Sequence, residues 1–513
     1  MSDSSPLPLP RQVWLMIYLL CAVIGLLSFK PSEPYLSMYL ICPYDTQVDT
    51  CHDKSMNDCN YDNGCMYSES NCGVVPCYNV TYSQCGNDNY DYCSQSDNHQ
   101  CDDTYCYFHF SENQVNNEIY PWSTYAYLPF LLLLGPFAEI FSYRIAIIIG
   151  IIGRIITRFL LLYGTSLVDM QLMQVTYAMG TAAEDVFSAY IYYLLPSSYY
   201  YEATGYVKAS ALICACVSGV LGDLLVTQDH TSIKVLLIIS AAFVCAGGLV
   251  GFLVIKQKSS SNNTYLQRNY DTEKANDVSP FLIIKESPTQ SKLSIFMLQL
   301  QCLYKALESY QLIIFTIYWV IGNCVYTTLY GYEVSIYLDL TGSNDWNGSV
   351  LAIMLLAGSF GATLPTLVGV NKWDNNSVSY VLVFMALSSS ISLLLMVKIW
   401  ETVPTLLLFT IFFLTWQFIN VLYYAHLATH LKNAQIIIQN NSNINGDEDA
   451  PTTPEPPYSV AIVSVVATSV VLQVISQSII FSFLQLNIKS ASYVYTFLFI
   501  AATILYILGL YAC

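Results

Sequence analysis

The sequence predicts an all-α membrane protein that crosses the bilayer many times. Three observations predict it. Of 513 residues, 54% are hydrophobic and only 11% are charged, against about 25% charged in soluble domains. Many apolar runs reach the ~18 residues that read as a membrane span. A basic, polar break at 256–291 divides these runs into six before and six after, twelve helices in all.

Residues 1–40 hold a short tail and a first helix from about Arg11 to Phe29. That run can span and lacks a clear small-residue cleavage site, so no cleavable signal peptide is expected. Lys30-Pro31-Ser32-Glu33-Pro34-Tyr35-Leu36 follows, and its two prolines should break or bend the helix. Glu33, between them, either pairs with Lys30 or lines a pore where freed backbone groups find partners.

Residues 41–113 form an acidic, cysteine-rich loop. Twelve Asp/Glu against Lys54 alone supply −11 of the net charge of −17. Cys42, Cys51, Cys59, Cys65, Cys72, Cys77, Cys85, Cys93, Cys101 and Cys106 are ten of the seventeen cysteines. An even count at close spacing implies disulfides in an oxidising compartment, with a pairing that spacing does not reveal. A zinc module is the alternative, but no CxxC pair occurs. The sequon Asn79-Val80-Thr81, if glycosylated, places the loop outside the cell or in the lumen.

Residues 114–255 carry helices 2 to 6, which with helix 1 make an N-terminal bundle. Helix 2, about Ile119–Phe141, opens with Tyr120, Trp122, Tyr125 and Tyr127, an interfacial aromatic belt or a stacking surface at a pore mouth. Helix 3, about Ala146–Leu167, carries Arg154 and Arg158 on one face. They need acidic partners, and Glu184, Asp185 and Asp223 are the candidates. Helix 4, about Gln171–Leu195, holds the adjacent carboxylates Glu184 and Asp185. A mid-membrane charge costs about 2.5–3.5 kcal/mol and marks a functional site by default. Gly180, Thr181, Glu184, Phe187, Ser188 and Ile191 share a helical face. That face suits a cavity for a cationic, ring-bearing solute; the plainer reading is a carboxylate paired with a base. Helices 5 and 6 span about Gly205–Val226, with Lys208 and Asp223, and Ile233–Ile255.

Lys256, Lys258, Arg268, Lys274 and Lys285 make the 256–291 linker cytosolic by the positive-inside rule. Residues 292–513 carry helices 7 to 12. In helix 7, about Gln311–Leu338, Asn323, Tyr326, Thr327 and Tyr330 share a face near Glu333, a solute path or an interhelical hydrogen-bond seam. The sequon Asn347-Gly348-Ser349 then lies outside. Helices 8 to 10 span about Ser349–Val370, Val378–Val397 and Val403–Ala428, the last with Trp416 and Gln417. Residues 432–457, acidic and proline-rich, read as a disordered cytosolic loop. Helices 11 and 12 span about Ser459–Phe483 and Ser492–Tyr511. Both termini are then cytosolic.

Three stretches carry a family likeness: KPSEPYLSMYL at Lys30–Leu40, EIYPWSTYAYL at Glu118–Leu128, and TAAEDVFSAYIYY with TGYVKAS through Ser210. They resemble the reduced folate carrier and thiamine transporter family, solute carrier family 19. The resemblance implies the major facilitator fold: two six-helix bundles around a midplane site, working by alternating access. Folate carriers bear an arginine where this chain has Glu184; thiamine transporters bear a glutamate there and a PSEP motif, so the chain looks like the thiamine branch. Carried over, Glu33 and Glu184 would face thiamine. Tyr120 and Trp416 match aromatics near the site, and Thr327 falls where the family has an asparagine. Three departures stand out. Ser123 takes the place of a family tryptophan, with Trp122 one residue earlier. Phe187 replaces a tyrosine. Arg154 and Arg158 replace apolar positions. The cysteine-rich insert is foreign to the family.

The expected function is therefore vitamin uptake, of thiamine first, across the plasma membrane. Substrate contacts are expected from Glu33, Tyr120, Trp122, Glu184, Phe187, Thr327, Tyr330 and Trp416. One alternative is a folate carrier for anions, favoured if Arg154 and Arg158 point into the cavity. Another is a receptor or adhesion protein whose acidic loop binds a protein partner; uptake that survives deletion of 41–113 would speak against it. No catalytic set, metal triad or phosphate loop predicts an enzyme, a cofactor or nucleic-acid binding. The partners expected are a small vitamin and the lipid bilayer.

Overall fold

A backbone inside hydrocarbon must satisfy its own hydrogen bonds, and the apolar runs do so as helices. The computed structural model describes residues 11–40, 65–68, 73–76, 110, 114–227, 233–257, 292–341, 347–373, 375–444 and 455–511. The first half of the chain contains α1 (Arg11–Ser28), the short α2 (Leu36–Leu40), α3 (Pro121–Ile140), α4 (Tyr143–Tyr163), α5 (Leu167–Leu194), α6 (Tyr200–Thr227) and α7 (Ile233–Gln257). The second contains α8 (Lys292–Ala306), α9 (Tyr310–Gly331), α10 (Glu333–Thr341), α11 (Asn347–Leu367), α12 (Asn375–Ile399), α13 (Thr402–Ile444), α14 (Tyr458–Gln477) and α15 (Ile488–Tyr511). Ten helices among the described residues are long and apolar enough to cross a membrane: α1, α4, α6, α7, α9 and α11 to α15. Helices α3 and α5 run 20 and 28 residues.

Local chemistry sets the ends. Pro31 and Pro34 follow the end of α1, and the chain turns through a 3-10 segment at Glu33–Tyr35, because proline cannot donate to a helical ladder. Ser142 accepts from the Arg144 N–H to start α4. Ser166 and Asp169 form a reciprocal capping box at α5.

In several places the structure differs from the sequence reading. The predicted seventh helix divides at Tyr332 into α9 and α10. The run predicted to be disordered from 432 is helical through Ile444; its first part, up to Ile444, lacks the prolines and acids that begin at Asp447. Residues Ser478–Phe483 form a π-helical turn rather than more of α14. Helix α8 was not foreseen. Within the insert, Cys65–Ser68 and Gly73–Pro76 pair as antiparallel strands β1 and β2, with Cys65 opposite Pro76. The other cysteines singled out above, Cys42, Cys51, Cys59, Cys72, Cys77, Cys85, Cys93, Cys101 and Cys106, lie outside the described residues, as does Asn79.

The face where α1 ends and α3 begins is the insert face; the face where α7 ends and α8 begins is the linker face. Within the first half, α4 packs on α5, and α1 on α6 and α7. Within the second, α13 packs on α11 and α12, and α9 on α14 and α15. The halves meet chiefly along α6–α11 and α3–α14. A Cβ on Gly205 would sit 2.8 Å from the Ala362 carbonyl oxygen, and one on Gly219 2.9 Å from that of Gly348. Glycine therefore lets α6 and α11 touch backbone to backbone at both ends of their contact.

Candidate functional site

Arginines in a hydrocarbon-spanning helix must find partners, because an unpaired buried charge is too costly to keep. On α4, Arg154 and Arg158 are four residues apart and both are buried. Close packing of α4 on α5 decides their partners. A Cβ on Gly150 would fall 2.0 Å from the Ala183 Cβ, and one on Gly180 2.5 Å from Arg154 Cγ. The Arg154 stem thus lies across the glycine and delivers its guanidinium to Glu184, one turn further along α5, at 2.5 Å. Arg158 reaches Glu33 in the broken segment after α1 at 3.1 Å. Lys30 also approaches Glu33, at 3.8 Å.

Tyr177 binds this cluster together. Lys30 stands 5.4 Å and Arg154 5.8 Å from its ring centre, within range of a cation–π attraction. Sequence reading did not single it out, yet the signal was there: Tyr177 precedes Glu184 by seven residues, two turns on the same face. Three cations (Lys30, Arg154, Arg158) meet two carboxylates (Glu33, Glu184), leaving a formal surplus of +1. Exposure is uneven within each pair. The arginine side chains are 5% and 6% exposed; Glu184 and Glu33 are 36% and 38% exposed. The open side of the cluster therefore presents carboxylate oxygen. A narrow crevice beside it is lined by Ile24, Leu27, Arg154, Gly180, Glu184 and Phe187.

The adjacent carboxylates diverge. Asp185 turns away from the arginines and accepts from the Tyr127 hydroxyl of α3 at 2.6 Å. Asp223 is fully buried at the end of α6 and accepts from Tyr35 and from the α11 backbone. Neither is the arginine partner expected from sequence. Arg158 takes Glu33 instead, 125 residues away in the chain.

Opposite the cluster stands an aromatic ladder from the second half. Tyr330 stacks on Tyr326 with rings 6.0 Å apart and parallel within 1°. Tyr326 stacks on Trp416 at 5.9 Å and accepts from Gln417 at 2.9 Å. Tyr330 is partly exposed and lies within electrostatic reach of Glu33 and Tyr177. Trp416, expected to touch solute, is fully buried between Gly322, Tyr318 and Phe499. In this conformation its contact with the ladder is the stack on Tyr326. Thr327 donates to Gln473 at 3.1 Å and Asn323 to Ser469 at 3.0 Å, so part of the α9 stripe is a seam with α14. Glu333 is buried at the start of α10.

Phe187 is buried beside the crevice. Tyr120 packs with the insert-face cluster around Tyr39 and Ile119, and its carbonyl accepts from Ser123 at 2.7 Å. Trp122 and Tyr125 are exposed, as residues of an interfacial belt would be. Asn347 of the second sequon is buried, an arrangement that leaves no room for a glycan there in this conformation.

Comparison with known proteins follows the same line. The family model described as "Reduced folate carrier" matches residues 104–437. "Folate transporter 1" of Caenorhabditis elegans is 26% identical over 255 residues, 48% of this chain and 56% of that protein. "Thiamine transporter 1" of Mus musculus is 27% identical over 282 residues, 48% of this chain and 57% of its own length. "Reduced folate transporter" of Mus musculus is 32% identical over 151 residues, 29% of this chain and 30% of that protein. The chain thus spans about half the length of the first two of these relatives, and less of the third.

Proposed function

The chain belongs to the reduced folate carrier family, a family of membrane vitamin transporters, and on that premise we propose that it takes up thiamine or a closely similar organic cation across the plasma membrane. The supporting observation is the exposure asymmetry at the charge cluster: carboxylates at 36% and 38%, their arginines at 5% and 6%. A solute entering beside Tyr330 meets Glu33 and Glu184 first, with the guanidinium groups behind them. The arginines orient those carboxylates. The parallel rings of Tyr330 and Tyr326 offer a face for a heteroaromatic ring.

The transport mechanism follows from two bundles of six helices, α3 and α5 included, rocking about this midplane cluster with no covalent chemistry. The insert at 41–113 is extracellular, disulfide-bonded and glycosylated at Asn79, and both termini are cytosolic. A second reading, carriage of a folate-type anion, has one observation in its favour, the +1 surplus that Lys30 gives the cluster. Radiolabelled uptake in cells lacking their own carriers separates the two. Thiamine should enter saturably, excess folate should compete weakly, and Glu184→Gln should abolish most uptake at equal surface expression. Saturable folate uptake without thiamine uptake, or unchanged thiamine uptake in Glu184→Gln, would overturn the assignment.

A further inference from the structure

At the insert face, the end of α4 and the start of α5 build a cleft on the outer side of the bundle. It is lined by Ile156, Phe159, Leu160, Tyr163, Gly164 and Asp169 and holds about 420 Å³, within the ~300–1,000 Å³ of small-ligand sites. Gly164 makes the cleft possible. A Cβ there would lie 2.6 Å from the Leu160 carbonyl oxygen, 2.8 Å from Met170 Cε and 2.9 Å from Asp169 Cβ. Glycine thus lets the first turn of α5 fold back on the last turn of α4, which puts Asp169 in the same cleft as Tyr163.

The walls are apolar and aromatic, and the rim is charged. Ile156, Phe159 and Tyr163 are exposed on a helix apolar enough to cross a membrane, so this side of the cleft faces lipid. Phe159 and Tyr163 stack at 6.2 Å with their planes 19° apart. Asp169 is held by one oxygen: Oδ2 accepts from the N–H groups of Thr165 and Ser166, both at 3.0 Å. Its own N–H donates to Ser166 Oγ at 3.1 Å. Among the described residues, Oδ1 has no hydrogen-bond partner and no lysine, arginine or histidine pairs with the carboxylate. Capping α5 therefore uses half of this carboxylate. The other half is a fixed anion at the edge of the lipid, and it lacks a counter-charge.

We propose that this cleft binds one choline-headed phospholipid from the leaflet at the insert face. The trimethylammonium group sits between Asp169 and the Tyr163 ring, and one acyl chain runs past Phe159 and Leu160 to Ile156. Residues 156–164 cover about 12 Å at ~1.5 Å per residue, close to the ~15 Å of hydrocarbon in one leaflet of a ~30 Å core. The depth of the cleft thus matches a lipid chain entering from the headgroup level. Asp169 is the only charged residue of the six that line it, and it decides the headgroup. An anionic head meets like charge. An ethanolamine head carries several N–H donors, and a single free carboxylate oxygen leaves the rest against aromatic rings. A quaternary ammonium has no donor to satisfy and is attracted by both the ring faces and the carboxylate. A lipid so held splints the α4–α5 pair, the two helices that carry Arg154 and Glu184.

The site does not depend on which solute the carrier moves, and its test does not use uptake. The full chain, purified in detergent, is titrated with phosphatidylcholine, phosphatidylethanolamine and phosphatidylglycerol of identical acyl chains. Native mass spectrometry reads the first lipid bound. Phosphatidylcholine should bind about fivefold more tightly than either of the others. Asp169→Asn, whose amide oxygen still accepts from Thr165 and Ser166, should erase that preference. Tyr163→Leu, which keeps the apolar wall and removes the ring, should cut it to about twofold. A phosphatidylcholine with a photoreactive diazirine in its acyl chain should label residues 156–163 in the unaltered protein. In both variants that label should fall while labels elsewhere on the lipid-facing surface stay. Equal retention of the three lipids, an unchanged preference in Asp169→Asn, or label spread evenly over the lipid-facing helices would mean annular lipid only and overturns the proposal. Tighter binding of phosphatidylethanolamine than of phosphatidylcholine overturns it as well.

Discussion

Arg154→Met separates the two substrate readings because it changes the sign of the effect on affinity. The guanidinium lies 2.5 Å from Glu184 and is buried, while Glu184 faces the open side of the cluster. A cation seated about 4 Å from the carboxylate stands about 6.5 Å from the guanidinium, a repulsion of about 2.5 kcal/mol at an effective dielectric of ~20. Glu184 is more than a third exposed, so water screens much of that, and about 1 kcal/mol is the usable figure. That is roughly fivefold in affinity. Methionine keeps the apolar stem that packs over Gly180, and the released carboxylate is exposed enough to be hydrated. The KM for thiamine should therefore fall about fivefold, and competition by folate should weaken. Concentration-dependent uptake, normalised to surface expression, measures both. A thiamine KM that rises fivefold in Arg154→Met, with expression unchanged, would refute the placement of the cation against Glu184. The double variant with Glu184→Gln should lose the gain.

Two further variants probe what holds the site. Gly180→Ala places a Cβ 2.5 Å from Arg154 Cγ, which forces a shift of about 1 Å and should cost about 1–3 kcal/mol by overpacking. Thermal unfolding in detergent should show a lower midpoint, with less than additive loss when combined with Arg154→Ala; a fully additive loss would mean that the glycine serves another contact. Trp416→Ala should cost about 3–5 kcal/mol of stability and leave the KM of the surviving transporter within a few-fold. A large KM change at an unmoved unfolding temperature would show that the indole touches solute.

The site was partly legible. Lys30 and Glu33 are three apart, and Arg154 and Arg158 four apart, so local spacing announced which charges share a face. Partner choice was not legible, because Arg158 meets Glu33 only through the tertiary arrangement in which α7 packs on both α1 and α4, a register that no local pattern encodes. The divergence of Glu184 from Asp185 followed from the ~100° step of a helix, but which of them faces the arginines depends on Gly180 and Gly150 bringing α4 against α5. Trp416 shows the limit most clearly. In soluble proteins an apolar face marks the core, whereas a membrane helix is apolar all round, so buried and lipid-facing aromatics look alike in the sequence. The break at Pro31 and Pro34 was legible because proline acts through its own backbone. The continuation of α13 past residue 432 was missed because the acidic, proline-rich composition of its distal part was extended over the whole segment.

That helix has a mechanical consequence. Its 43 residues make a rod about 64 Å long at ~1.5 Å per residue, roughly twice the ~30 Å hydrocarbon thickness. Near its middle it packs against the first half through α6, and toward the linker face α8 lies along it. A rod pivoting near the midplane by ~10° carries its far end through about 9 Å. A small rotation of one half against the other would thus become a large excursion in the solvent beyond the linker face. A spin label or fluorophore near Ile444 would then act as the pointer of a gauge, reading from outside the bilayer how far the two halves have turned.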